Sequence, residues 1–516
     1  MGILPLLLAL GQAVSPHPGA QASRPPEVLA LVEQGRALPP EFRADILLRL
    51  AQSPLITQTP WKQELIEEAF WSGSHASFPY LQHADERSDS VATNAVRANG
   101  LEAMTLQARA VQEMLPLNSG KALHLFDQIQ PMTLPKLACS NPLTPDVADY
   151  YQTAVLVFQN SFTAKQRANG EDRLWLKQLV ASVDAPAQVP PVMETVFAVK
   201  LAPDQRRDLL SQLAANLREI YRSDREYGAT ETALVSALAS ARIRSPEAAV
   251  FLPTLRSYIV RHLKGQRCTE NVPVSGRIAK SAEQFNSLVA KLDPAESRWK
   301  RISAEEAKSV GDGGTYRQDL TGRSERSQAV TEALKWLTHG NRVRNGEVLR
   351  WTLEERSSPE WLGRYDDAAK LVHELSEDDE ASPEALFVMK SDALNLLTTL
   401  APPGPTRDRA LEEYREFLED YYPSIENVNL WFTMFRHMLY TARFSDDPKN
   451  RAWILDGLAR SSNPIIALYA KIETSVGPPG ETHPPSHARA PNNSKTSHLG
   501  RVADSSGLAF DLHSTT

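Results

Sequence analysis

The chain has 516 residues, of which 42% are apolar. This length and composition exclude a wholly disordered protein and supply enough apolar surface for large cores. A formal net charge of −7, with basic residues scattered among acidic ones, argues against a general nucleic-acid binder, which carries a basic patch or stripe.

The N-terminal segment differs from the rest of the chain. The first 22 residues contain no charged side chain, and residues 3–14 form a nearly continuous apolar run, although one proline interrupts it and no basic residue precedes it. A small-x-small tripeptide at 20–22 then matches a cleavage site between Ala22 and Ser23. We interpret this segment as a secretory signal peptide, which predicts an extracytoplasmic protein, periplasmic or secreted. A retained N-terminus in a cytosolic protein is the alternative.

A short motif marks the predicted helix starts. In it, a hydroxyl or acidic side chain can cap the helix, a proline suits the first turn, and an acidic residue meets the positive end of the helix dipole. It occurs at Thr144, Ser245, Ser358 and Ser382, with looser versions at Ala202 and Asp293. Since these starts follow no fixed period, they predict an irregular helical array rather than a named repeat.

Apolar residues at helical spacing fill the predicted N-terminal helical domain, 23–268. Its predicted helices cover residues 28–33, 42–50, 61–71, 91–99, 101–114, 122–128, 145–162, 173–183, 191–201, 203–221, 230–242 and 245–265. The first two are joined so closely that we expect an antiparallel hairpin. Pro253 lies inside the last and predicts two helices that meet at Leu252.

The apolar density falls between residues 269 and 327, where we place a linker or irregular insertion. A C-terminal helical domain follows at 328–475. Residues 476–516 are rich in Pro, Ser, His and Asn, which predicts a disordered tail. Together these features predict an all-α protein, an irregular array of antiparallel helix pairs that is solenoid-like or α/α, in two helical blocks. No segment after the first approaches the apolar length of a membrane span.

The chain contains two cysteines, Cys139 and Cys268. In an exported chain an even pair predicts one disulfide. It would close a loop of about 130 residues and stabilise the fold by up to about 5 kcal/mol in the chain-entropy model. Two buried free thiols are the alternative.

No catalytic, cofactor-binding or metal-binding motif is found. His437 is a weak candidate for a general base, because its sequence neighbours are apolar and would lower its pKa; a hydrogen-bonded boundary histidine is the alternative. Three glutamates at 64–68 and the acidic run 377–380 fit a solvated helix face and an acidic loop better than a general acid and a cation site. The glycine-rich run 311–314 fits a turn better than a phosphate or metal loop.

These observations favour a non-enzymatic scaffold that binds a protein or peptide. One alternative is an α/α-toroid enzyme that acts on glycans or cell wall through paired carboxylates about 5 to 10 Å apart in an aromatic-lined cleft. A cytosolic helical protein with an uncleaved N-terminus is the other. The sequence indicates neither an oligomeric state nor a particular partner.

Overall fold

Helix follows helix along the described part of the chain in the computed structural model, which confirms the all-α prediction. The structure describes residues 24–84, 100–135, 143–220, 245–264, 276–295, 297–307, 324–340, 343–344, 347–348, 351–380, 382–421, 428–443 and 448–476. The predicted signal segment and residues 477–516 of the predicted tail lie outside these ranges. Among the described helices, none combines the length and the apolar character that crossing a membrane requires.

The described residues up to 220 form the first group of helices. These are α1 (Pro26–Arg36), α2 (Pro40–Gln52), α3 (Thr59–Gly73), α4 (Ala103–Met114), α5 (Ser119–Asp127), α6 (Ala148–Asn160), α7 (Ala164–Asn169), α8 (Glu171–Ala181), α9 (Val189–Ala198) and α10 (Pro203–Glu219). Three residues connect α1 to α2, and the two helices pack together, as the predicted hairpin requires.

The described residues from 245 onward form the second group. These are α11 (Ser245–Lys264), α12 (Gly276–Leu292), α13 (Ala304–Ala307), α14 (Glu325–His339), α15 (Leu353–Arg356), α16 (Pro359–His373), α17 (Pro383–Leu400), α18 (Pro405–Tyr421), α19 (Val428–Arg443), α20 (Pro448–Ala459) and α21 (Pro464–Val476). The predicted division at 269–327 stays a prediction, because 265–275 and 308–323 lie outside the described residues.

Two short antiparallel ladders join the helices in the described chain. Strand β1 (Leu81–Ala84) pairs with β2 (Leu143–Asp146), and β3 (Val343–Arg344) pairs with β4 (Glu347–Val348). The predicted helix start at Thr144 is therefore wrong. Residues 143–146 use their backbone groups for pairing, and the helix begins at Ala148, whose N–H donates to Oδ1 of Asp146 at 2.8 Å.

The other start motifs have mixed outcomes. Ser358 caps α16 by accepting from the N–H of Trp361 at 3.3 Å, and Ser382 caps α17 in the same way, so both predictions are confirmed. The start predicted at Asp293 is wrong. Its carboxylate accepts the N–H of Trp299 at 3.1 Å and holds a loop after α12 instead.

The prediction of two helices that meet at Leu252 is also wrong, since α11 runs through Pro253. A proline inside a helix costs about 3 kcal/mol. Phe251, Leu252 and Leu255 around it are fully buried, and each contributes about 1.5 to 3 kcal/mol by leaving water. Packing therefore outweighs the local cost of the proline.

The buried apolar side chains form one continuous cluster from Val28 in α1 to Ile472 in α21. Within it the first helices meet the last. The ring of Phe42 in α2 lies 5.2 Å from that of Phe432 in α19, which in turn lies 5.0 Å from that of Tyr469 in α21. Segments almost 430 residues apart in sequence therefore share a core.

Candidate functional site

A buried aspartate interrupts the apolar side of α2. Asp45 is only 1% exposed and lies between the buried residues Ala44 and Ile46. Removing an ionised carboxylate from water costs several kcal/mol unless charged or hydrogen-bonding partners replace the water. The neighbouring helices therefore have to supply those partners.

Three donors from three helices bind the Asp45 carboxylate. Nε of Arg49, one turn along α2, donates to Oδ2 at 2.7 Å, and Nη1 of Arg109 in α4 donates to Oδ1 at 2.7 Å. The Tyr469 hydroxyl in α21 donates to Oδ2 at 2.6 Å. Nη1 of Arg49 also lies 3.4 Å from Oε1 of Glu473. Charge-assisted bonds of this kind are the strong ones in protein interiors.

A third arginine, Arg436 in α19, lies beside this group. The ring of the preceding residue, Phe435, lies 5.9 Å from the ring of Tyr469. Burial, followed by the charge of Arg49, lowers the pKa of Arg436. The Asp45 cluster, as we call it, consists of Asp45, Arg49, Arg109, Arg436, Tyr469 and Glu473.

The electrostatics of the cluster hold Asp45 ionised. Burial alone would raise its pKa, but the charges of Arg49 and Arg109 and the hydrogen bond from Tyr469 keep the pKa well below its usual range. Burial and the nearby Asp45 raise the pKa of Tyr469, so the phenol stays protonated and donates a hydrogen bond to the carboxylate. A carboxylate with so low a pKa is a poor general base.

A second buried carboxyl group lies at the start of α4. Glu102 is 1% exposed, and apart from its own backbone N–H neither carboxyl oxygen has a hydrogen-bond partner. Burial, with the charges of Asp149 and Asp146, raises the pKa of Glu102 to about 7, against a smaller opposite effect of Arg109. Glu102 therefore exchanges its proton near neutral pH.

Glu102 and the two arginines of the Asp45 cluster differ in their exposure to solvent, and so in their accessibility to a ligand. Glu102 has the pKa of a general acid, yet its side chain is enclosed. The Arg49 and Arg109 side chains are 24% and 29% exposed, so neither is fully enclosed by the core. In the described part of the chain, no group of three His, Cys, Asp or Glu side chains is arranged to hold a metal ion.

A shallow, open groove follows one face of α20. We call this the α20 face; it is lined by Lys449, Ala452, Trp453, Asp456, Ala459 and Arg460. Trp453 is half-buried against the core, whereas Ala452, Asp456 and Arg460 are exposed. The face thus combines an anchored aromatic ring with charges of both signs.

His437 lies in α19, next to Arg436. Its Nδ1 is 3.8 Å from Oδ1 of Asp392 in α17, and its side chain is about 29% exposed. The structure thus places this histidine at the edge of the core and beside a carboxylate. Its role as a base stays a prediction.

Several predicted features lie outside the described residues. They are the cleavage site at Ala22 and Ser23, the cysteines Cys139 and Cys268, and the glycine-rich run 311–314. The disulfide and the cleavage both stay predictions.

The glutamates of α3 do not form a shared acid group. Each pairs with a basic residue of another segment. The pairs are Arg24 with Glu64 at 2.6 Å, Lys121 with Glu67, and Arg36 with Glu68 at 2.6 Å. They serve as contacts between helices near the surface, where single ion pairs contribute little.

The acidic run 377–380 anchors the start of α14. The carboxylate of Asp379 accepts the Ser324 hydroxyl at 2.8 Å, the N–H of Ser376 at 3.0 Å and Nη1 of Arg326 at 3.0 Å. These bonds, the one from Ser324 first, lower the pKa of Asp379 to about 2. This part of the run has a structural explanation within the fold.

Sequence reasoning missed the Asp45 cluster. One signal was present, because an aspartate and an arginine four residues apart inside an apolar run predict a paired, buried carboxylate. Nothing local identifies Arg109 or Tyr469 as further partners, since they lie 64 and 424 residues away.

Comparison with known proteins gives no similarity that assigns a function. No family model matches the chain, and no curated protein and no solved structure matches it. The residues described above are therefore the basis for any functional conclusion.

Proposed function

We propose that the protein is an exported, non-enzymatic helical scaffold that binds a protein or peptide partner. The α20 face is the observation that supports this proposal. It combines Trp453, fixed by the core, with the exposed Arg460, and tryptophan and arginine are the residues most enriched at binding hot spots.

The chemistry of the face indicates the kind of partner. Lys449 and Arg460 lie toward the two ends of the face, and Asp456 lies between them. An apolar side chain of the partner would contact Trp453, and an acidic side chain beside it would meet the exposed Arg460. The groove is shallow and open, which suits a protein surface or a peptide better than a small molecule.

Site-specific crosslinking in the native host tests this proposal. A photo-crosslinking residue replaces the exposed Ala452, and a matched variant carries it at Ala30, exposed on α1. We expect one discrete crosslinked protein from position 452, its loss with Trp453→Ala, and no such product from position 30. Equal products at both positions, or no effect of Trp453→Ala, would overturn the proposal.

Export is tested separately by peptide mass mapping of the native protein, without reduction and after free thiols are trapped. A terminus at Ser23 with Cys139 joined to Cys268 is the expected result. An intact Met1 with both cysteines alkylated would instead favour the cytosolic alternative.

One observation favours a second candidate, an enzyme that cleaves glycans through paired carboxylates. Glu102 has the raised pKa of a general acid and lies near Asp146 and Asp149. Its enclosure argues against this function, because a glycan would have to reach it through closed packing. Glycan hydrolysis that Glu102→Gln abolishes, in a variant that still folds, would establish the enzyme and displace the scaffold.

A further inference from the structure

Arg109 offers one edge of its guanidinium group to solvent. Only Nη1 is bound, to Asp45. No described residue accepts a hydrogen bond from Nε or Nη2, and neither atom is enclosed. These two nitrogens share an edge of the planar group, and that edge matches the two oxygens of a carboxylate or phosphate.

Arg49 binds the same carboxylate as Arg109 and carries a further free donor. Its Nε binds Asp45 and its Nη1 approaches Glu473, which leaves Nη2 without a bond to the described residues. The ring of Tyr469 lies 5.3 Å from the guanidinium carbon of Arg49. Because Asp45 is buried and binds both arginines, the two guanidinium groups are oriented before any ligand arrives, which lowers the entropy cost of binding.

The free donors of Arg49 and Arg109 favour an anion. They are N–H groups of positively charged side chains, and such donors form short, charge-assisted hydrogen bonds with carboxylate or phosphate oxygens.

We propose that the Asp45 cluster binds an oxyanion, a phosphate or carboxylate group, at the free edge of Arg109 and Nη2 of Arg49. This site is independent of the α20 face and of the function proposed for it. A small anion or an acidic group on a larger ligand would supply the same oxygens.

Titration of the full chain with phosphate tests the site. Thermal unfolding and isothermal calorimetry follow the addition of inorganic phosphate, a phosphoserine peptide or acetate, each compared with sodium chloride at the same ionic strength. We expect a saturable rise in melting temperature of about 2 to 4 °C and a measurable heat of binding with at least one of them. The order of affinities identifies whether a free anion or a group on a peptide is preferred.

Variants distinguish the site from general charge effects. Arg109→Lys keeps the positive charge but loses the two-donor edge, and we expect affinity to fall at least about tenfold. Arg364→Lys in α16, the matched control, is expected to leave the affinity unchanged. The proposal is wrong if none of the three probes gives a saturable response, or if folded Arg109→Lys binds as the wild type does.

Discussion

Two buried carboxyl groups, Asp45 and Glu102, show how partners rather than burial decide the state of an acid. Both are 1% exposed, and Arg109 influences both. Asp45 accepts three hydrogen bonds and has a pKa far below its usual range, whereas Glu102 has only its own backbone N–H and a pKa of about 7.

The comparison separates a structural charge from a titrating one. The Asp45 carboxylate joins helices from the two ends of the described chain, and its charge is compensated by arginines. Glu102 faces Asp149 and Asp146, so ionisation adds repulsion to the cost of burial. We therefore expect opposite responses of the two sites to mutation and to pH.

The largest effect is expected from Asp45→Asn. The substitution leaves the buried edges of Arg49 and Arg109 without their anion, and breaking a buried pair in this way costs about 3 to 5 kcal/mol. Denaturant unfolding measures the loss, with the exposed Asp208→Asn in α10 as the control. A loss below about 1 kcal/mol would show that the Asp45 cluster does not join these helices.

The wild type and Asp45→Asn also test how stability changes at acidic pH. The pKa of Asp45 is lower in the folded state than in the unfolded state, where it is 3.8. The ionised carboxylate therefore stabilises the fold at pH values above 3.8, and this stabilisation is lost as the pH falls toward the folded pKa. The free energy of unfolding of the wild type should therefore fall more steeply below about pH 4 than that of Asp45→Asn. Parallel pH profiles would contradict this assignment.

Glu102→Gln should act in the opposite pH direction. The folded pKa of about 7 exceeds the unfolded value of 4.5, so the folded state binds the proton more tightly and loses stability as pH rises between these values. The loss is on the order of 3 kcal/mol, and it levels off above about pH 7. The variant should therefore be more stable than the wild type at pH 8 and nearly equal to it at pH 4.5.

Unfolding measurements at these two pH values check this prediction, with Glu305→Gln, exposed on α13, as the matched control. A variant that is no more stable than the wild type at pH 8 would show that Glu102 has a partner when it is ionised.

The smallest effect is expected from Tyr469→Phe. It removes one hydrogen bond to a charged acceptor, which contributes about 1.5 to 3 kcal/mol. Tyr414→Phe removes a bond of similar burial to the neutral carbonyl of Met434, worth about 0.5 to 1.5 kcal/mol. Equal losses in the two variants would mean that the charge of Asp45 adds nothing to the bond.

Local signals predicted the helical class and several helix starts. Ser358 and Ser382 cap helices as expected, because a cap depends on residues within one turn. The same motif was wrong at Thr144, where a strand about 60 residues earlier takes the backbone groups. The rule that proline breaks a helix was wrong at Pro253, where core packing outweighs the local cost of the proline. Local rules therefore held where no distant segment competed for the same atoms.

The sequence by itself determined that this protein is a chain of amphipathic helices, since spacing and caps act over a few residues. Only the tertiary structure decided which helices meet. The bonds from Arg109 and Tyr469 to Asp45 depend on contacts across 64 and 424 residues, and no local periodicity encodes such contacts. The candidate anion site therefore arises from the packing of α2, α4, α19 and α21, because a buried charge takes its partners from whichever helices surround it.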